Sequence, residues 1–126
     1  MNATQPAPGE AILEVSGLSI AFGGLKAVRD VSFTVRRGEV FTLIGPNGAG
    51  KTTLFNLVSR LYAADAGRIV FEGRDITALP AHRIASLGIA RTFQNIELFE
   101  HATVLQNLLI GRHVHRRTAL WEELLF

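Results

Sequence analysis

The residues whose spacing could do chemistry are Gly45, Pro46, Asn47, Gly48, Ala49, Gly50, Lys51 and Thr52, which satisfy the pattern G-x-x-x-x-G-K-S/T. Glycine at three of these positions lets the backbone curl so that successive N–H groups turn inward, and a following helix would add the positive end of its dipole. Such a cradle holds phosphate oxygens. Within it Lys51 would neutralise the β- and γ-phosphates of a nucleotide, Thr52 would give its hydroxyl to Mg2+, and Thr53, one step further on, would hydrogen-bond the α-phosphate. The plain alternative is a glycine-rich turn with an exposed lysine. Context separates the two, because the phosphate-binding form needs a buried strand before the loop and a helix after it.

Both are legible in the flanking residues. Val40, Phe41, Leu43 and Ile44 around Thr42 make a run apolar on both faces, which suits a central strand covered on two sides. After the loop, Leu54, Leu57, Val58 and Leu61 recur at helical spacing, predicting a helix over residues 53–61. Upstream, Leu18, Ile20 and Phe22 alternate with Ser19 and Ala21, and Val31, Phe33 and Val35 alternate with Ser32 and Thr34. This period of two predicts an antiparallel β layer, interrupted at Gly23-Gly24. Downstream, turns at residues 65–67 and 73–75 flank a short strand at 68–71. Pro80 suits the first position of a helix ending before Gly88, and residues 89–92 read as another strand. Thr103 and Gln106 have capping-box spacing, ahead of an apolar stripe of Val104, Leu105, Leu108 and Leu109.

Composition narrows the classes of function. The 126 residues are 48% hydrophobic and 19% charged, a globular chain of one-domain size and neither disordered nor collagen-like. Thirteen basic against eleven acidic residues leave a formal charge of +2, too small and too scattered to build a nucleic-acid-binding surface. No nucleic-acid partner is expected. The absence of cysteine excludes disulfides and thiolate metal sites. Residues 1–10 carry no basic residue and no apolar core, and read as a flexible leader rather than a secretory signal. No apolar run approaches the ~18 residues of a membrane span, so any membrane association goes through a partner. His82 and His101 have no ligand at metal spacing, His113 and His115 diverge on a helix, and Arg112, Arg116 and Arg117 read as a solvated face.

A GTPase would add N-K-x-D and D-x-x-G motifs downstream of the loop, and neither occurs. Instead, over residues 11–126 the chain resembles the nucleotide-binding subunit of an ABC transporter. Three motifs in order carry the resemblance: Phe22 at the place of the aromatic A-loop residue, the phosphate loop, and Gln94 in Arg91-Thr92-Phe93-Gln94-Asn95 at the place of the Q-loop glutamine. The resemblance implies that Phe22 stacks on the adenine of ATP. It also implies that Gln94 is a catalytic amide that reaches Mg2+ or the attacking water and links the site to the membrane subunit. Phe22-Gly23-Gly24-Leu25-Lys26-Ala27-Val28 and Gly88-Ile89-Ala90-Arg91-Thr92-Phe93-Gln94-Asn95 are similar to the ATP-binding subunit of branched-chain amino acid importers. So are Asp75-Ile76-Thr77-Ala78-Leu79-Pro80 and His82-Arg83-Ile84.

The expected fold is α/β, a phosphate-loop NTPase of ABC type with an antiparallel β layer and a partial parallel core sheet with helices. The family's LSGGQ-type signature, its strand ending in Asp followed by a catalytic Glu, and its switch histidine do not occur in these residues. Glu122-Glu123 reads as a solvated helix face. The expectation is therefore an N-terminal part of a nucleotide-binding domain, cut before the signature, that binds ATP and Mg2+ and hydrolyses ATP when complete. Implied partners are transmembrane permease subunits and a second ATP-binding subunit in a head-to-tail dimer, on the cytoplasmic face of the cell membrane. Two alternatives stay open: a soluble phosphate-loop kinase, and a non-catalytic nucleotide-binding fragment.

Overall fold

The computed structural model describes residues 9–92 and 98–111, which belong to two compact units divided between Ala90 and Arg91. In the first unit, β1 (Ala11–Phe22) and β2 (Leu25–Arg36) form a long antiparallel hairpin, with Val15 opposite Phe33 and Phe22 opposite Leu25. Its two-residue turn has φ of +53° at Gly23 and +85° at Gly24. Positive φ at both central positions matches the right-handed twist of the flanking strands, and glycine adopts it without strain. On its other edge β1 pairs antiparallel with β3 (Ala66–Phe71), and β3 pairs with β4 (Arg74–Asp75), giving the order β2-β1-β3-β4.

One helix covers the core side of this sheet. Leu54 and Leu57, three residues apart on α1 (Lys51–Val58), pack with Val15, Leu18 and Ile20 of β1, Val28 of β2 and Ile69 of β3. Ile76 and Ile84 complete the buried cluster, and no polar side chain is buried among the described residues. Burying leucines of this kind is worth about 1.5–3 kcal/mol each, so α1 is held by the sheet and not by its own short ladder. The helix ends at Val58, three residues before its apolar spacing does. Arg60 takes φ +60°, and the N–H groups of Arg60 and Leu61 donate to the carbonyls of Leu57 and Asn56, closing the end as a Schellman motif.

Local signals fare well elsewhere. Pro80 stands just outside α2 (Ala81–Ile84), which tightens into a 3₁₀ turn over Ala85–Leu87 and stops at Gly88 with φ +100°. In the second unit α3 (Val104–Gly111) opens on a reciprocal capping box: Thr103 N–H donates to Gln106 Oε1 at 2.8 Å and Gln106 N–H to Thr103 Oγ1 at 3.2 Å. Its apolar residues Val104, Leu105, Leu108 and Leu109 are all exposed. No helix among the described residues is long and apolar enough to cross a membrane.

Four sequence expectations need correction. No strand forms at residues 40–44, where Val40 is 92% and Ile44 87% exposed, nor at 89–92. A strand exists through its ladder, and neither run pairs with a described strand, although the Phe41 ring stacks on Phe33 of β2. Residues 65–67 are not a turn, because β3 already begins at Ala66. The turn expected at 73–75 is tighter: Glu72 and Gly73 make it, and Arg74 and Asp75 pair back onto Phe71 and Val70. At the start of the described chain, Gly9 O accepts from Arg36 Nη1 and Glu10 O from Arg37 N–H.

The β3–β4 hairpin carries an electrostatically perturbed carboxylate, Asp75. Hydrogen bonds from the Thr77 hydroxyl, from Arg68 Nε at 2.7 Å and from Thr77 N–H at 2.9 Å lower the Asp75 pKa from 3.8 to about 2. Thr77 also accepts from Ile69 N–H at 2.8 Å, so this cluster extends the ladder beyond β4.

Candidate nucleotide-phosphate site

The loop at residues 45–50 delivers the chain to the head of α1, where Gly50 is the N-cap at φ 81°, ψ 7°. No side chain caps this end and no acidic residue occupies the first turn. The N–H groups of Lys51, Thr52 and Thr53 therefore have no intrahelical acceptor, and the positive end of the helix dipole is uncompensated. Glycine at position 50 is demanded twice over. Its φ lies in the left-handed region, and a Cβ there would stand 2.3 Å from the carbonyl oxygen of Ala27 on β2. Gly48 shares the φ of +81° but faces open space. Ala49 N–H donates to Pro46 O at 3.2 Å, which closes the loop, and Leu54 N–H to Gly50 O at 2.8 Å, which starts the helical ladder.

Lys51 completes the cradle. Its Nζ bends back over the loop and donates to the carbonyls of Gly45 at 2.5 Å and Pro46 at 2.6 Å. Among the described residues no carboxylate pairs with it. A full positive charge and a helix N-terminus thus share one place with only neutral partners. Thr52 is exposed beside them and Thr53 half-buried, while Asn47 lies on the exposed crest of the loop. A cleft lined by Ala27, Val31, Leu43, Gly50, Lys51 and Leu54 opens between β2 and the helix.

Phe22 stands in the same unit at the end of β1 and is 46% exposed, although the alternation with Leu18 and Ile20 would turn it into the core. The strand stops there, so the ring lies at the hairpin rim. It meets Tyr62 edge to face, with centroids 5.3 Å apart and planes at 72°. Tyr62 carries no motif, and no signal in the sequence links it to Phe22. Gln94 lies outside the described residues, as do Arg112, His113, His115, Arg116, Arg117 and the Glu122-Glu123 pair. Among the described residues no three acidic or histidine side chains converge as a metal site.

The sequence profile of the ABC transporter family matches residues 28–125. The high-affinity branched-chain amino acid transport ATP-binding protein BraF of Pseudomonas aeruginosa is 50% identical over 107 residues, 85% of this chain and 42% of that protein. The protein of the same description named LivG in Salmonella typhimurium is 45% identical over 116 residues, 92% of this chain and 46% of its own length. Among solved structures, a nucleotide-free ATP-binding cassette from an ABC transporter is 44% identical with a TM-score of 0.73, over 80% of this chain and 40% of that one. The ADP conformation of MJ1267, an ATP-binding cassette of an ABC transporter, is 39% identical with a TM-score of 0.74, over 90% of this chain and 44% of that one. The chain thus spans less than half the length of these relatives. It has the α/β phosphate-loop fold of their cassettes, and the family match covers most of its residues: the chain belongs to the ABC transporter family.

Proposed function

We propose that residues 45–53 bind the phosphates of Mg-ATP, and that the chain serves in the ATP-binding subunit energising an ABC importer of branched-chain amino acids. The observation that carries the binding is Lys51, whose ammonium is held over the loop by two neutral carbonyls at the open head of α1. A phosphate entering the cradle exchanges those carbonyls for charged oxygens, and charge-assisted hydrogen bonds are roughly twice as strong as neutral ones. The donors present fit a polyphosphate: Lys51 for the β- and γ-phosphates, the first-turn N–H groups, and Thr53 for the α-phosphate. The Thr52 hydroxyl, exposed at the helix start, suits Mg2+. The half-exposed ring of Phe22 suits stacking on adenine.

Bound Mg-ATP supplies a phosphoryl group whose transfer to water releases free energy. The chain's own part is to bind and orient it, with Gln94 as the amide that contacts the metal or water and signals to a permease. Family membership sets aside the soluble kinase. The solute class rests on the names of BraF and LivG, and the partners proposed with it, as the family resemblance implies, are transmembrane permease subunits and a second ATP-binding subunit, assembled head to tail on the cytoplasmic face.

Titration calorimetry tests the binding. The chain should bind Mg-ATP saturably, and Lys51→Ala should weaken binding about 10- to 150-fold, the worth of hydrogen bonds to a charged group. Equal affinities would overturn the assignment. In an assembled transporter the same substitution should abolish leucine, isoleucine and valine uptake, and unaltered uptake would overturn the solute class.

A further inference from the structure

Phe22 is the last residue of its strand, next to a two-glycine turn, and no covalent neighbour fixes its ring. We propose that Tyr62 is a positioning residue for the nucleotide base, holding the Phe22 ring in the orientation that leaves a face open to adenine. The inference rests on the reading of Phe22 as the base platform and deepens it. In an edge-to-face pair the positive edge of one ring sits on the negative face of the other, which fixes their mutual angle. In either sense of the T, at least one face of Phe22 stays free, in keeping with its 46% exposure.

Tyr62 can act as a fixed point because its backbone is clamped. Its N–H donates to Asn56 O at the end of α1, its carbonyl accepts from Arg60 Nη1, and Arg60 Nε in turn donates to Leu79 O. Three residues on, Asp65 Oδ2 accepts from Ala21 N–H at 2.8 Å and Asp65 N–H donates to Ser19 O at 2.9 Å, tying the segment to β1 just before Phe22. The segment 60–65 therefore runs from the far end of the helix that the phosphate loop opens to the strand that ends in the platform. Hydrogen bonds at both ends of this short segment thus link the helix of the phosphate loop to the strand that carries Phe22.

The test separates base from phosphate by calorimetry on the full chain with Mg2+ present. The readout is the ratio of the dissociation constants for inorganic tripolyphosphate and ATP, which isolates what the base and ribose add. Phe22→Ala should lower this ratio about 5- to 150-fold, the worth of one stacked base. Tyr62→Ala should lower it less, about 2- to 12-fold, because positioning cannot exceed the worth of the aromatic pair. Both variants should bind tripolyphosphate as the parent chain does, which also reports an intact fold. Tyr62→Phe should restore the ratio, since the ring and not the hydroxyl makes the pair. Tyr62→Leu keeps apolar bulk without a ring and should behave as Tyr62→Ala. In the Phe22→Ala background, Tyr62→Ala should lower the ratio no further. A parental ratio in both Tyr62→Ala and Tyr62→Leu overturns the inference, and so does a further fall in the double variant, which would mean that Tyr62 touches the base itself. A parental ratio in Phe22→Ala would instead bring down the platform reading on which it rests.

Discussion

Gly50 shows how one residue joins the sheet to the site. Its carbonyl begins the ladder of α1, its φ of +81° turns the loop, and its missing side chain lets the turn approach the Ala27 carbonyl. Gly48 has the same φ without the close approach, so the two glycines make a controlled pair. Left-handed backbone costs an L-residue about 1–2 kcal/mol, and that is the loss of stability expected for Gly48→Ala in urea denaturation. Gly50→Ala adds a clash with backbone that cannot swing aside, so it should lose about 3 kcal/mol or more. Equal losses would contradict the close packing of loop on strand. The phosphate-loop pattern was legible at this position, but its reason was not, because the Ala27 contact comes from the fold. The same holds for Tyr62 against Phe22, a meeting of residues joined only through helix and sheet. Gln94, legible only through the resemblance, lies outside the described residues.

At the scale of elements, the β3–β4 hairpin makes a prediction with a definite sign. Because the folded state lowers the Asp75 pKa to about 2 from 3.8, this carboxylate stabilises the fold above pH ~4, and that contribution is lost as the pH falls through about 2. The urea midpoints of the parent and Asp75→Asn should therefore differ most above pH ~4 and converge towards pH 2. A gap that is constant over this range would contradict the Thr77 and Arg68 contacts. Elements with local causes were the legible ones: the Gly23-Gly24 hairpin, the stop at Gly88, and the capping box of Thr103 and Gln106. Residues 40–44 were not, since apolar pattern measures a wish to be covered while a strand needs a neighbour's N–H and C=O groups.

At the scale of the molecule, the proposed phosphate site lies wholly within the first unit, and the chain spans less than half of its relatives' length, so binding and turnover are tested separately. Among the described residues no carboxylate pairs with Lys51, and no LSGGQ-type signature occurs in these 126 residues. Steady phosphate release by the 126-residue chain should match that of its Lys51→Ala variant. Release above that control would show catalytic groups the account does not contain. The central claim, that the head of α1 is the phosphate site, is tested most directly by backbone amide NMR during a Mg-ATP titration. The account predicts saturable shifts at the N–H groups of Gly48, Gly50, Lys51, Thr52 and Thr53. Saturable binding that left those five amides in place would contradict it.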